Sequence, residues 1–322
     1  MTNKHTKCPR CKRRGIRWGG NRRRCTPCGA TWRVRKKKRG RKALRRTPNR
    51  AIKYMANREA VHLRNAKFYR RIISRNALME QLPWPQVSQS GSVILIADAF
   101  LQYIERAWHT WYCILARPID SEDAVILKPF CRRGTEVALG WQEAFAVVPN
   151  ELLCRVKALV CDGHNGLILE ARRRGWLIQR CHFHLVARLQ QKRSRWIRGL
   201  HQGEGKQIYK LVKKALDTRS SKVLHRSLKG LAVLGRRTAS RDIRRMTSGF
   251  LANYEDYRTY LHHTELLLPT TSNTAEAFVG LIRELCRRAR GFRTVNTMDQ
   301  WIEALVKARK TIKCRAKTNR II

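Results

Sequence analysis

The chain has 322 residues and carries 70 Lys and Arg against 22 Asp and Glu, a formal net charge of +48 with a pI near 11.3. Hydrophobic residues, at 43%, suit a folded protein with one core-bearing domain of ordinary size and a smaller module. So much like charge on a compact body repels itself and asks for a polyanionic partner, and its spread along the whole length points to nucleic acid before a membrane surface.

In chain order, residues 1–34 come first, a small module rich in Arg, Gly, Pro and paired cysteines. Its start, Met1-Thr2-Asn3-Lys4-His5, lacks the apolar run of an export signal. The 11 cysteines are therefore expected in a reducing cytoplasm, in a nucleoid-associated protein, where metal binding outweighs disulfides. Cys8-Pro9-Arg10-Cys11 and Cys25-Thr26-Pro27-Cys28 are two Cys-x-x-Cys pairs a hairpin's length apart. The two-residue gap lets both thiolates of a pair reach one ion, and four thiolates complete a closed tetrahedral site. This predicts a zinc ribbon in which one structural Zn²⁺ supplies most of the folding free energy, because so few residues bury little core. A closed site leaves no open coordination position, so the expected role is structure and DNA binding.

Residues 35–90 follow as a basic arm and linker. Arg35, Lys36, Lys37, Lys38, Arg39, Arg41 and Lys42 form a solvated run suited to DNA phosphates. Ile52, Met55, Phe68, Ile72 and Leu78 then recur at helical spacing, and Pro83-Trp84-Pro85 ends helical structure.

Residues 91–312 carry the main domain. Val93–Ala97 is an apolar run ending in Asp98, the profile of a strand buried on both faces, and it is far shorter than the roughly 20 residues of a membrane span. Thr110–Ala116 and Ala124–Leu127 read as further strands of a meander, Glu136–Ala146 as a helix, and Val156–Cys161 as a strand ending in Asp162. Leu167–Arg174 reads as a helix stopped by Gly175, and Trp176–Arg180 as a strand. These elements describe a mixed α/β layer fold. From about 185 to 268 the spacing turns helical, through Ile208/Leu211/Val212/Leu216, Leu224/Leu228/Leu231 and Phe250/Tyr254/Tyr257/Leu261, so a helical insertion is expected. Ala275–Arg290 and Met298–Ile312 read as closing helices, and residues 313–322 as a basic tail.

Asp98 and Asp162 each follow an apolar strand, so neighbouring strands would present both carboxylates at one sheet end, where hard divalent ions find oxygen donors. Glu276 lies in Thr271-Ser272-Asn273-Thr274-Ala275-Glu276. There Asn273 is a candidate helix cap with Glu276 closing a capping box, and the first helical turn would also aim Glu276 at the aspartates. Asp120 and Asp123 are alternatives to Asp98, but neither follows an apolar strand.

In order along the chain stand the strand ending in Asp98, then Cys161-Asp162-Gly163-His164, Cys181-His182-Phe183-His184, the Asn273-to-Glu276 segment, and Arg290-Gly291-Phe292-Arg293. From about Ile94 to Arg293 this series resembles bacterial insertion-sequence transposases of the Mutator-like group, in the variant with an N-terminal zinc-binding domain. The resemblance implies an RNase H-like core interrupted by a helical insertion, and a catalytic triad of Asp98, Asp162 and Glu276. It implies two Mg²⁺ or Mn²⁺ ions held by that triad, with Asp98 shared between them, and cleavage at element ends followed by strand transfer. Cys181 and His184 match a motif close to the catalytic face, supporting or orienting it. The other cysteines (113, 131, 154, 286 and 314) and Phe183 read as core or incidental. Implied partners are double-stranded DNA, both element ends and target, and further copies of the chain when two ends are synapsed. Arg193, Arg195 and Arg198 of the insertion would hold DNA through its phosphates. Two alternatives remain open at this point: a non-catalytic DNA-binding protein derived from a transposase, and a related metal-dependent nuclease.

Overall fold

A computed structural model describes residues 7–19, 22–33, 82–196, 202–289 and 291–314, with the main chain alone at 192–196, 202 and 288. The basic arm from Arg35 to Lys42, the helices expected over 51–80, and Arg198 lie outside the described residues. The chain divides into two compact units, residues 1–50 and 51–322.

The first unit is a three-stranded antiparallel sheet in the order β1 (Ile16–Arg17), β2 (Arg22–Arg24), β3 (Thr31–Arg33). Two tight turns hold the cysteine pairs. The Cys8 amide donates to Arg13 and Lys12 turns back onto Cys8, while the Cys25 amide donates to Ala30 and Gly29 turns back onto Cys25. Gly29 adopts φ +67, a left-handed conformation open to glycine without strain.

The second unit is α/β, with a mixed seven-stranded sheet. Strands β4 (Val93–Ile104) and β5 (Ala107–Pro118) form a hairpin of twelve-residue strands, and β6 (Asp123–Ile126) continues the antiparallel meander. On the other flank, β8 (Val156–Cys161) and β9 (Leu177–Arg180) run parallel to β4. Strand β7 (Phe130–Arg133) pairs with β5, and β10 (Thr311–Lys313) closes the edge beside β6.

Both faces of β4 are buried because its apolar residues do not alternate with polar ones. Ile94, Ile96, Phe100 and Ile104 join Trp111, Cys113 and Leu115 under helices α9 (Asn273–Ala289) and α10 (Val295–Arg309). Val93, Leu95 and Ala97 join Tyr112, Ile114 and Ala116 under α1 (Ala138–Ala146) and α3 (Asn165–Arg173). Trp141 of α1 is fully buried, edge-on to Tyr112 at 4.9 Å, with its indole N–H donating to Glu136 at 2.8 Å. Gly166 lets α3 approach α1 closely, since a Cβ there would lie 2.6 Å from the Ala138 main chain.

Between β9 and α9 the described residues are helical: α4 (His182–Trp196), α5 (Gln202–Asp217), α6 (Ser221–Arg237), α7 (Arg241–Leu251) and α8 (Thr259–His262), followed by a 3₁₀ turn (Thr264–Leu266). Their apolar faces meet in a core of their own, including Leu189, Ile208, Val212, Leu231, Ile243, Phe250 and Tyr257. Ser220 and Ser240 set two of the helix starts by accepting the Val223 and Ile243 amides at 3.4 Å, which satisfies donors the helix itself leaves free. No helix among the described residues is long and apolar enough to cross a membrane.

Four sequence expectations need correction. The Phe250-to-Leu261 spacing is not one helix: α7 ends at Leu251, turns intervene, and α8 begins at Thr259. The last helix stops at Arg309; Lys310 adopts φ +60 and Thr311–Lys313 becomes strand β10. Lys313 and Cys314 therefore belong to the sheet edge rather than to a tail, with Cys314 buried and its amide bonded to Glu122. The helix expected from Glu136 starts at Ala138, because Val137 is held in an extended conformation at φ −139 and ψ 160, its amide donating to the Tyr112 hydroxyl.

Candidate active site and metal centre

Asp98 lies on β4 where its parallel neighbour gives out. Ile96 pairs with Val160, β8 ends at Cys161, and Asp162 follows at once. Only β8 ends here, releasing Asp162 beside Asp98; the strand expected to end at Asp98 instead continues to Ile104, held by its pairing with β5, so Asp98 lies within β4. Asp98 alternates with Ile96 and Phe100, which places it on the face covered by α9. Its Oδ1 accepts the Ala99 amide at 2.8 Å. The Oδ1 of Asp162 accepts the His164 amide at 2.9 Å, a turn that Gly163 permits at φ +97. His164 in turn accepts the Gly166 amide at the start of α3, with its Nδ1 3.6 Å from Glu136.

Glu276 sits in the first turn of α9. The helix begins at Asn273, so Asn273 lies inside the first turn and is not the expected cap. Ser272 takes that place: its carbonyl accepts the Glu276 amide at 3.0 Å and its hydroxyl donates to Glu276 Oε1 at 3.3 Å. The same carboxylate oxygen lies 3.5 Å from His184 Nδ1, an atom shielded from solvent. Cys181, fully buried, accepts the Ser272 amide on its sulfur at 3.3 Å, and its own amide donates to Cys161. The starts of α4 and α9 are thereby tied to the ends of β8 and β9.

Titration behaviour reflects this crowding. Burial, together with the like charges of Asp162 and Glu276, pushes Asp98 up to about 7 against the Ala99 amide and the positive charge of His184. The hydrogen bond to Cys181 raises His184 to about 9 despite burial, and the charges of Cys181, Glu276 and Asp162 act in the same direction. Burial raises Cys181, but hydrogen bonds from His184 and Ser272 outweigh it and leave the thiol below its ordinary value.

Two groupings among the described residues bring three or more metal-binding atoms within 4.8 Å of one another. One is Cys181, His184 and Glu276; the other is Cys8, Cys11, Cys25 and Cys28. The acids Asp98, Asp162 and Glu276 are spread more widely, and Glu276 stands with His184 and Cys181. In the cysteine tetrad, Cys8 and Cys28 sulfurs lie 3.5 Å apart and those of Cys11 and Cys25 lie 3.3 Å apart. Four sulfurs around a zinc at ~2.3 Å stand roughly 3.8 Å from each other, so the tetrad is close to the size of one ion. Burial raises Cys8, but amides of Cys11 and Arg10 and the neighbouring thiols bring it down to about 6, whereas burial and the adjoining thiols push Cys25 up to about 12. All 11 cysteines are free of disulfides.

Sequence reasoning missed Ser272 as the link between Cys181 and Glu276; it stood inside the Thr271-to-Glu276 motif, and only tertiary packing shows its role. It also missed Glu136 beside His164, and Asp256, which lies 3.3 Å from Arg180 at the end of β9. Phe183, allowed as core, is half exposed. Arg193 and Arg195 lie on α4, where only the main chain is described. No protein-family model matches the chain, and a search of curated proteins gives no match.

Proposed function

We propose that the chain is a DNA transposase whose second unit is an RNase H-like phosphoryl-transfer core and whose first unit is a zinc ribbon. The observation that carries this reading is the placement of Asp98 within β4 at the level where its parallel neighbour β8 ends in Asp162, with Glu276 on the helix packed over the face that Asp98 shares. A meander of three antiparallel strands, β4 to β6, extended by the parallel strands β8 and β9 is consistent with an RNase H-like core. The elevated Asp98, raised first by burial and further by the like charges of Asp162 and Glu276, marks a crowded group of carboxylates, which suits divalent cations.

Asp98, Asp162 and Glu276 are the residues that would hold two Mg²⁺ or Mn²⁺ ions. Such ions, when bound, lower the pKa of an attacking water or 3′-hydroxyl and stabilise the leaving oxygen. The protein's own part is to fix those carboxylates on rigid elements: Asp98 through the Ala99 amide, Asp162 through the His164 amide, and Glu276 through Ser272 and His184. Phosphate contacts come from the 70 Lys and Arg, whose surplus of charge matches a polyanion held along its length. Four thiolates would hold the ribbon's zinc, and the strands between them are too short to fold unaided.

The test uses labelled oligonucleotides taken from the DNA flanking the chain's own reading frame, incubated with Mg²⁺ or Mn²⁺. Wild type is run beside Asp162→Asn and Glu276→Gln, with DNA binding measured in the same samples. The reading predicts that wild type cuts and joins while both variants bind and do neither. Cutting without joining would make the chain a nuclease; binding without cutting by wild type would leave it a DNA-binding protein.

A further inference from the structure

Glu276 belongs by distance to a different donor set from the one its proposed catalytic role requires. Cys181, His184 and Glu276 offer a sulfur, a nitrogen and an oxygen within 4.8 Å of one another. His184 Nδ1 and Glu276 Oε1 are 3.5 Å apart. Two ligands at ~2.0–2.1 Å from a tetrahedral zinc lie about 3.4 Å from each other, so this pair already has the spacing of a chelate. The Nδ1 atom is shielded from solvent and faces the Glu276 carboxylate, so the three donors converge on one small volume.

The surroundings repeat features of the cysteine tetrad. An amide N–H points at sulfur in both, Ser272 to Cys181 at 3.3 Å and Arg10 to Cys8 at 3.4 Å. The Ser272 hydroxyl orients the Glu276 carboxylate, as outer groups orient metal ligands elsewhere. Cys181 and His184 are separated by two residues at the entry to α4, so a single turn delivers both. Thiolate and imidazole are donors that favour Zn²⁺ over Mg²⁺.

We infer that Cys181, His184 and Glu276 form a second metal site, selective for thiophilic divalent ions such as Zn²⁺, which withdraws Glu276 from the hard-ion site and silences phosphoryl transfer. The site itself stands on geometry; its inhibitory effect rests on the proposed catalytic role of Glu276. Zn²⁺ bound at Cys181 and His184 competes for the Glu276 carboxylate, and with Oε1 engaged there Glu276 is a weaker ligand for a hard ion beside Asp98 and Asp162. Three protein ligands leave a fourth position for water, so this site exchanges its ion more readily than the closed tetrad.

The full chain, stripped of metal by a chelator and reloaded with Zn²⁺, is assayed for bound zinc in wild type, Cys181→Ala and Glu276→Gln. Two zinc ions per chain are expected in wild type and one in each variant, with the loss confined to the weaker, more exchangeable ion. Glu276 is partly exposed, so Glu276→Gln does not threaten the core and keeps the test valid if Cys181→Ala fails to fold. A single zinc in wild type, or a second zinc retained in Glu276→Gln, overturns the site. Zinc added to wild type in Mg²⁺ should suppress DNA cutting at least tenfold. Two zincs without such suppression, in a chain that cuts, would overturn the inhibitory role. If the zinc counts behave as expected but the chain never cuts DNA, the site stands and the transposase reading falls.

Discussion

The cysteine tetrad and the three acids proposed to hold catalytic ions are built on opposite principles. Cys8, Cys11, Cys25 and Cys28 come from one short stretch and sit on two turns joined by strands of two or three residues. Little apolar surface backs them: Ile16 and Trp18 are about half exposed, and the buried groups include the ligands Cys8 and Cys25 themselves. Asp98, Asp162 and Glu276 come from distant parts of the chain: Asp98 lies in β4, Asp162 just after β8, and Glu276 on α9 over the same face. In the first region an ion would make the fold; in the second the fold brings the acids together before any ion binds. This contrast fixes what metal removal and mutation should do to each.

The largest effect expected is on the first unit. Chelation, or Cys25→Ser, removes a contribution on the order of 10 kcal/mol and leaves residues 1–33 unfolded. Amide hydrogen exchange should then show lost protection at β1–β3 with β4 and β8 unchanged; protection surviving in β1–β3 would break the comparison.

Next comes packing. Trp141→Ala empties a fully buried site between α1 and β5 and strands Glu136 without its indole donor. A loss of about 3–5 kcal/mol in denaturant unfolding of the second unit is expected, with the first unit's zinc content unchanged.

The acids should instead leave a pH signature. Asp98 is raised to about 7 in the fold and titrates near ~4 when unfolded. The folded state therefore binds the proton more tightly, so protonation stabilises it. Without divalent ions, the contribution of Asp98 to stability is fully present below pH ~4, is lost as pH rises toward 7, and is absent above it, by an amount on the order of a few kcal/mol. Asp98→Asn should flatten that decline in thermal melts at several pH values, and a steep decline surviving in the variant would assign it elsewhere.

The smallest effect belongs to the edge. Asp123 meets Lys313 at 3.0 Å on exposed side chains, so Asp123→Asn should shift stability by less than about 1 kcal/mol and leave DNA chemistry untouched.

The same contrast explains what the sequence revealed. The tetrad was legible because its ligands are local and their two-residue spacing carries the geometry. The strand bearing Asp98 was legible as far as Ala97, since burial on both faces leaves an unbroken apolar run. Its continuation to Ile104 was not, because the hairpin turns at Glu105-Arg106, both at positive φ, without the Gly or Asn that usually announces such a turn. Strand β10 escaped notice for a different reason: three residues after a helix gain strand character only by pairing with β6, far back in the chain. At the site, Asp98 and Asp162 announced themselves by ending apolar runs. Glu276 was placed by its helix start and by resemblance, while its engagement with Ser272 and His184 depends on how α4 and α9 pack. Local sequence does not encode that.

Phosphoryl transfer at Asp98, Asp162 and Glu276 is the proposal on which the other functional readings depend. The most direct test is the single-turnover rate at which bound DNA is cut in Mg²⁺ by Asp98→Asn, set beside wild type and the edge variant Asp123→Asn. The expected result is a loss on the order of 10³-fold or more for Asp98→Asn, about 4 kcal/mol of barrier, with DNA binding intact and Asp123→Asn cutting like wild type. Cutting by Asp98→Asn at the wild-type rate would contradict it.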